Sequence, residues 1–372
     1  MRPCRSSRSF KGALSAGSNM AEVILLSTPF AALERPSIGI SQLKQDLIDK
    51  GISAECRYLT FQFAELIGLR RYFAIAQCTN PAELVGEYIF SRAAFQDQEG
   101  GEYQFALRAH KPNYGHEYVF REYFGCSDAL ALGDELRRIR EQAEQFIKAA
   151  AQKILDEHPV IVGCTSTFEQ HCSSLAILRQ VKAANPNVFT IIGGANCEGA
   201  MGAQTAVSFP WIDYVCTGEA NECLPQFCRH ILDGQLELAE NVTGILTPRR
   251  ASLALSTQSF PVAWVRNMDL TPVPDYDDYF AELSAFKYRF AICPSVTAET
   301  SRGCWYGAVR HCTFCGLNDD TIAFRSKSSE EAYNYIKQIR VRYGCGHISL
   351  TDNILNPTYV KKIFSRLVDD GL

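Results

Sequence analysis

Three thiols fall within twelve positions in the stretch SRGCWYGAVRHCTFCGLND (301–319): Cys304, Cys312 and Cys315, separated by seven residues and then by two. A disulfide uses two thiols and a closed structural zinc site uses four ligands. Three thiolates in a polar, glycine-flanked loop therefore leave a coordination position open. That donor set suits a 4Fe–4S cluster in which cysteine holds three irons and the fourth is left for a substrate or cofactor. Zinc is the competing reading, because Cys312 and Cys315 have the spacing of a zinc knuckle and His311, His347, Cys293 or Cys345 offers a fourth ligand. No second CxxC pair or HxxxH completes that pattern. A chance grouping of structural thiols is the third reading.

The other cysteines of the fifteen are scattered, several inside apolar runs such as VIVGCTS. Small buried thiols of this kind fit a reducing compartment rather than a disulfide framework, so a cytoplasmic location is expected.

A cysteine loop needs a scaffold, and the chain alternates strand and helix from Ala21 onward. EVILLSTPF reads as a strand, SIGISQLKQDLIDKG as a helix stopped at Gly51, and ISAECRYL as a second strand. Residues 60–127 are aromatic-rich and read as an insertion, mostly helix and loop. Leu132, Leu136, Ile139, Ala143, Phe146, Ala150 and Ile154 recur at three- and four-residue steps, which predicts a long amphipathic helix over 132–157. PVIVGC, NVFTIIGG and WIDYVCTGE then alternate as strands with three helical stretches. This pattern predicts a doubly wound, mostly parallel sheet over 21–249.

Such a sheet takes its ligand outside the carboxyl ends of its strands. The loops there contain Ser27 and Thr28; Thr165, Ser166 and Thr167; Gly193, Gly194 and Ala195; and Gly218 and Glu219. They are small and rich in hydroxyls and glycine, suited to close backbone approach by a large ligand. None is GxGxxG, which disfavours a dinucleotide. Gly193-Gly194 taken alone is equally a tight turn.

Residues 250–285, with LTPVPDYDDYF, read as an ordered linker between domain surfaces. After it, 286–372 run strand, cysteine loop, helix, strand, helix: the first two units of a β/α barrel. Ser328 and Glu331 are spaced as a capping box, and Pro357 lies near the start of the last helix. Two units cannot close a barrel and would leave a sheet edge bare. The expectation is a fragment of a longer protein, or a partner over that edge.

The 372 residues carry a net charge of -4, which gives no reason to expect nucleic acid as a partner. No stretch approaches the roughly 18 uninterrupted apolar residues of a spanning helix, so no membrane partner is expected. Residues 1–20 hold four basic residues and no acidic one, leaving 33 basic against 41 acidic beyond them. They read as a disordered tail or as a start assigned too early, with Met20 as the alternative.

The cysteine loop resembles the signature of radical S-adenosylmethionine (SAM) enzymes, in which three cysteines hold the cluster and an aromatic residue precedes the third. Phe314 has that position here. The common spacing in those enzymes is three residues then two. Seven then two, with SRGCW before and CGLN after, is similar to the radical SAM enzymes that mature ribosomally made peptides and carry an N-terminal cobalamin-binding domain. IIGGANCEGAMG, DYVCTGEANE and PVPDYDDYF also resemble that group, so the resemblance covers 21–372.

It implies an α/β chain with a Rossmann-like cobalamin-binding domain followed by the start of a radical SAM partial TIM barrel. It implies Cys304, Cys312 and Cys315 as cluster ligands, and Phe314, Thr351, Asp352 and Asn353 as SAM contacts. The loop residues named above, from Ser27 to Glu219, would then hold cobalamin. Asp352 has a second reading as a helix cap before Pro357. The first loop has no histidine and the DxHxxG element is missing, so cobalt is expected without a protein histidine beneath it; His171 is the one nearby candidate.

The implied activity is C-methylation of a precursor peptide through a 5′-deoxyadenosyl radical, with a reductant such as flavodoxin or ferredoxin as partner. The alternatives are a radical SAM–cobalamin enzyme for a small metabolite or lipid, and an inactive cobalamin-binding fragment.

Overall fold

The computed structural model describes residues 21–79, 83–96, 119–316 and 323–371. In chain order the main sheet begins with β1 (Val23–Ser27), every residue of which is buried. Then follow α1 (Ile38–Asp49) and β2 (Ala54–Tyr58). The stretch read as an insertion contributes α2 (Leu59–Ile67), α3 (Leu69–Phe73) running into a π-helical turn at Ala74–Cys78, and α4 (Val85–Phe95). Residues 80–82 and 97–118 of that stretch lie outside the described residues. Helix α5 (Ala129–Leu155) starts where the Asp128 carboxylate accepts from the Ala131 N–H, a cap that places the first turn. Its Leu132, Leu136, Ile139 and Ala143 are buried, as the periodicity predicts.

Next come β3 (Ile161–Thr165), α6 (His171–Ala184), β4 (Phe189–Gly193), α7 (Gly199–Ser208), β5 (Tyr214–Cys216) and α8 (Ala220–Leu232). Three further elements had no clear sequence signal: α9 (Leu236–Asn241), β6 (Ile245–Leu246) and α10 (Pro248–Thr257). Thr247 caps α10 and Pro248 occupies its first turn. The strand order is β2-β1-β3-β4-β5-β6, with the first five parallel and β6 antiparallel to β5. The winding reverses between β1 and β3, which places the ligand crevice outside their carboxyl ends.

The insertion is aromatic because it is core. Phe63 and Phe90 pack against Phe30 and each other with ring centroids 4.9–5.9 Å apart, and Tyr72 lies 5.1 Å from Phe30. The stretch read as a linker is helical at both ends. Its second helix, α11 (Asp277–Ala285), joins two cores: Tyr279 and Leu283 belong to the sheet's core, while Tyr276 belongs to a second one. Phe280 packs against both.

The second core is built from β7 (Val296–Ala298), α12 (Ser329–Tyr343) and β10 (Ile348–Leu350), with β10 parallel to β7. Ser328 caps α12 through the Glu331 N–H, and Gly344 ends it in the left-handed region. A π-helical turn at Val360–Phe364 leads into α13 (Ser365–Asp369). Between β7 and α12, β8 (Ser301–Arg302) and β9 (Arg325–Ser326) pair as a short antiparallel ribbon. The ribbon closes the base of the cysteine loop. Among the described residues no helix is long and apolar enough to cross a membrane.

Candidate active site

A cavity of about 420 Å³ lies where β1, β3, β4 and β5 end, and its far wall is Glu299 and Arg302 from the cysteine-loop unit. Its floor is apolar and shallow because small residues end the strands. At Gly163 a Cβ would stand 2.9 Å from Leu25 Cδ2, and at Gly194 (φ +101°) 2.6 Å from the Ser166 carbonyl oxygen. A larger residue at either position would push the strand ends apart. Gly39, in the first turn of α1, lines the same cavity with nothing within 4 Å of where its Cβ would be. An apolar floor with open backbone at Gly39 fits a large flat ligand.

The expected cradle is gathered in part. Thr165, Gly193, Gly194, Ala195, Gly218 and Glu219 line the cavity. Ser27, Thr28, Ser166 and Thr167 lie outside the lining; the first three are buried in the fold and Thr167 is half-buried. Thr28 is fully buried, with its Oγ1 2.9 Å from Ser174 Oγ, and Ser27 is buried without a hydrogen-bond partner for its Oγ. Thr167 Oγ1 donates to Gln170 Oε1 at 2.6 Å. Ser166 Oγ stands 2.9 Å from His171 Nδ1 and accepts from Asn196 Nδ2 at 3.1 Å. Burial lowers the His171 pKa, which favours a neutral ring inside this knot of loops. Gly39, Gln42, Asn221, Glu299 and Arg302 are cavity residues that sequence reading missed. Only their closeness in space to the strand ends marks them, and spacing along the chain carries no trace of it.

The cysteine loop leaves the ribbon at Gly303. Cys304, Cys312 and Cys315 are each half-buried. The Gly307 N–H donates to Cys304 Sγ at 3.2 Å. The Cys315 N–H donates to the Cys312 carbonyl at 3.1 Å, so Cys312-Thr313-Phe314-Cys315 is a turn. Phe314 is 91% exposed. Among the described residues no three His, Cys, Asp or Glu side chains are gathered as ligands of one metal ion. In thiolate sites the bound metal itself supplies the free energy that draws the ligands together. Three half-buried thiols on one loop, one already receiving an N–H, fit a three-cysteine cluster as a donor set.

Thr351, Asp352 and Asn353 follow β10, next to the start of the cysteine loop. The Asp352 carboxylate accepts from the Thr300 N–H at 2.7 Å, from the Thr300 hydroxyl and from the Ser301 N–H at 3.1 Å. Burial raises its pKa, and these donors only partly oppose the rise. In this structure Asp352 therefore braces the end of β7. The Thr351 N–H donates to the Ala298 carbonyl at 2.9 Å, continuing the β10–β7 ladder.

Glu219 ties the two halves together. Its carboxylate takes Arg325 at 2.8 and 2.9 Å, Arg302 at 3.2 Å and the Val265 N–H at 2.6 Å. Burial acts to raise its pKa, but the Arg325 hydrogen bonds and the Arg302 charge outweigh it and hold the carboxyl below its usual range. Arg302 also clasps Glu299 at 2.9 and 2.7 Å and reaches Asn221 Oδ1 at 3.1 Å.

No protein-family model matches the chain, and no curated protein matches it. Solved structures do. The cobalamin-dependent S-adenosylmethionine radical enzyme OxsB superposes with a TM-score of 0.52 at 16% identity, over 92% of this chain and 36% of its own. The radical S-adenosylmethionine methyltransferase TsrM from Kitasatospora setae, with cobalamin and a 4Fe–4S cluster bound, superposes with a TM-score of 0.51 at 14% identity, over 94% of this chain and 51% of its own. The likeness is one of fold. The chain spans between 36% and 51% of the length of these structures.

Proposed function

We propose that this chain carries the cobalamin-binding domain and the first barrel units of a radical SAM enzyme that C-methylates a residue of a ribosomally made precursor peptide, with flavodoxin or ferredoxin as reductant. One observation carries the reading: a three-thiol loop, closed by its own ribbon, is fastened beside an apolar cavity at the carboxyl ends of a doubly wound parallel sheet. The fold likeness to a cobalamin-dependent S-adenosylmethionine radical enzyme and to a radical S-adenosylmethionine methyltransferase supports it. The peptide substrate rests on the seven-then-two spacing and its flanking residues.

Cys304, Cys312 and Cys315 would hold the cluster, and Thr165, Gly193, Gly194, Ala195 and Gly218 would lie against the corrin. Phe314 and the end of β10 would border SAM, with Asp352 shaping the SAM pocket through its hold on Thr300 and Ser301. Bound, these cofactors would supply a hydrogen-abstracting radical and a transferable methyl group. The protein's own work is positioning. The Gly307 N–H orients Cys304 Sγ, the strand-end glycines admit a flat ligand, and the Glu219–Arg325 pair fixes the loop's base.

The test is anaerobic iron–sulfur reconstitution followed by cobalamin and SAM binding and SAM cleavage with a chemical reductant. The reading expects 4Fe–4S absorbance and about one cobalamin per chain, one ligand to one crevice. Replacing the three cysteines by Ala should remove the iron and spare cobalamin. Cobalamin binding with neither cluster nor SAM cleavage would leave a cobalamin-binding module. Activity on a small metabolite or lipid, with none on a precursor peptide, would replace the substrate assignment.

A further inference from the structure

Arg302 and Arg325 stand directly opposite each other in the two-residue ribbon at the base of the cysteine loop. Like charges in that relation repel, because facing side chains in an antiparallel pair lie about 5 Å apart. Two residues per strand give too few ladder hydrogen bonds to offset that repulsion. The compensating charge comes from outside the ribbon. Glu219, in the loop between β5 and α8, accepts both guanidinium groups, and Glu299 takes the second face of Arg302. Two cations and two carboxylates then balance, and the side chains of Glu219, Arg302 and Arg325 are only 11–15% exposed. Removing Glu219 would leave a buried excess of positive charge, the costly way to break such a pair.

The position of Glu219 is fixed from the sheet side. Gly218 has φ +85°, and a Cβ there would stand 2.4 Å from the Ala263 carbonyl oxygen, so only glycine lets residues 262–265 lie against this loop. The Glu219 N–H donates to the Ala263 carbonyl at 2.8 Å and the Val265 N–H donates to the Glu219 carboxylate. Gly218 and Glu219 also line the cavity, as do Arg302 and Glu299. A ligand in the cavity therefore touches the residues that hold the ribbon shut, and the ribbon sets where Cys304 begins.

We propose that Glu219 is a positioning residue that couples the two cofactor sites: through Arg302 and Arg325 it makes occupation of the sheet cavity and assembly of the three-cysteine site favour each other. This rests on the functional reading above. Coupling of this kind is reciprocal, and its usual size is on the order of tenfold.

The experiment measures the hydroxocobalamin dissociation constant of the anaerobic protein before and after cluster reconstitution. In the wild-type chain, reconstitution tightens cobalamin by about tenfold. In Glu219→Gln, and in Arg325→Lys, which keeps the charge and loses the two-pronged geometry, both cofactors still bind and the ratio falls below about twofold. Lys182→Gln breaks an ion pair to Asp213 of 2.7 Å on other elements and keeps the wild-type ratio. A purely structural role for Glu219 would lower stability and leave the ratio alone. A wild-type ratio near one in a protein that binds both cofactors, or a tenfold ratio retained in both Glu219→Gln and Arg325→Lys, overturns the coupling. Absence of cobalamin binding in the wild type overturns the functional reading, and the coupling with it.

Discussion

Asp352 and Thr300 are joined across the β10–β7 pair: the carboxylate at the end of one strand accepts the N–H and the hydroxyl at the end of the other. The contact fastens the chain between β7 and the cysteine loop, because the same carboxylate also accepts the N–H of Ser301, the first residue of β8. Asp352→Ala strands the N–H groups of Thr300 and Ser301, both buried residues, and should cost about 2–4 kcal/mol. Asp352→Asn keeps an acceptor oxygen and should recover about half of that loss. Urea unfolding followed by tyrosine fluorescence reads both. Equal stability of Asp352→Ala and wild type would remove the bracing role.

Gly39 separates folding from ligand binding. It lies in the first turn of α1 with open space where its Cβ would be. Gly39→Ala should stabilise the helix by about 0.5 kcal/mol. Gly39→Leu should leave the melting temperature within a few degrees of wild type, while filling the cavity and weakening cobalamin by about tenfold or more. Unchanged affinity in Gly39→Leu would mean the ligand lies elsewhere.

Gly218 tolerates no side chain. The left-handed backbone and the close approach of Ala263 together should cost Gly218→Ala at least about 2 kcal/mol. The Glu219–Arg325 pair should loosen with it, so Cys304 should react faster with a thiol reagent. A variant as stable and as slow to react as wild type would contradict the packing described.

Asp46 supplies a pH dependence. It is half-buried against Asn221, whose Nδ2 donates to it at 2.8 Å. Burial raises its pKa from 3.8 to about 7, and the Asn221 hydrogen bond opposes the rise only in part. Between those values the native chain holds a proton that the unfolded chain has released, so stability falls as pH rises through that window. The carboxyl adds no penalty below it. Asp46→Asn keeps the contact without the charge, and should be more stable than wild type by on the order of 2 kcal/mol at about pH 8 and indistinguishable at about pH 4. Denaturant midpoints at the two pH values test this, and an equal offset at both would count against it.

The sequence determined the repeating parts. The buried run of β1, the seven-position apolar stripe of α5, the Ser328 cap of α12 and the glycines after β4 and β5 are local signals, fixed by periodicity and by backbone freedom within a few residues. The three-thiol spacing is local too, and it indicated an open coordination position before any fold was known.

Tertiary structure decided what those parts do to one another. Strands of two residues, such as β6, β8 and β9, are too short for a period, and only their neighbours make them strands. The α10 helix straddles the start of what reads as linker because its apolar face, Ala251 and Ala254, is small and gives a weak stripe. Glu219 and Arg325 are 106 residues apart, and nothing in the spacing along the chain pairs them. They meet because the parallel sheet sends its carboxyl-end loops to one side, and the second core turns the cysteine ribbon to face them.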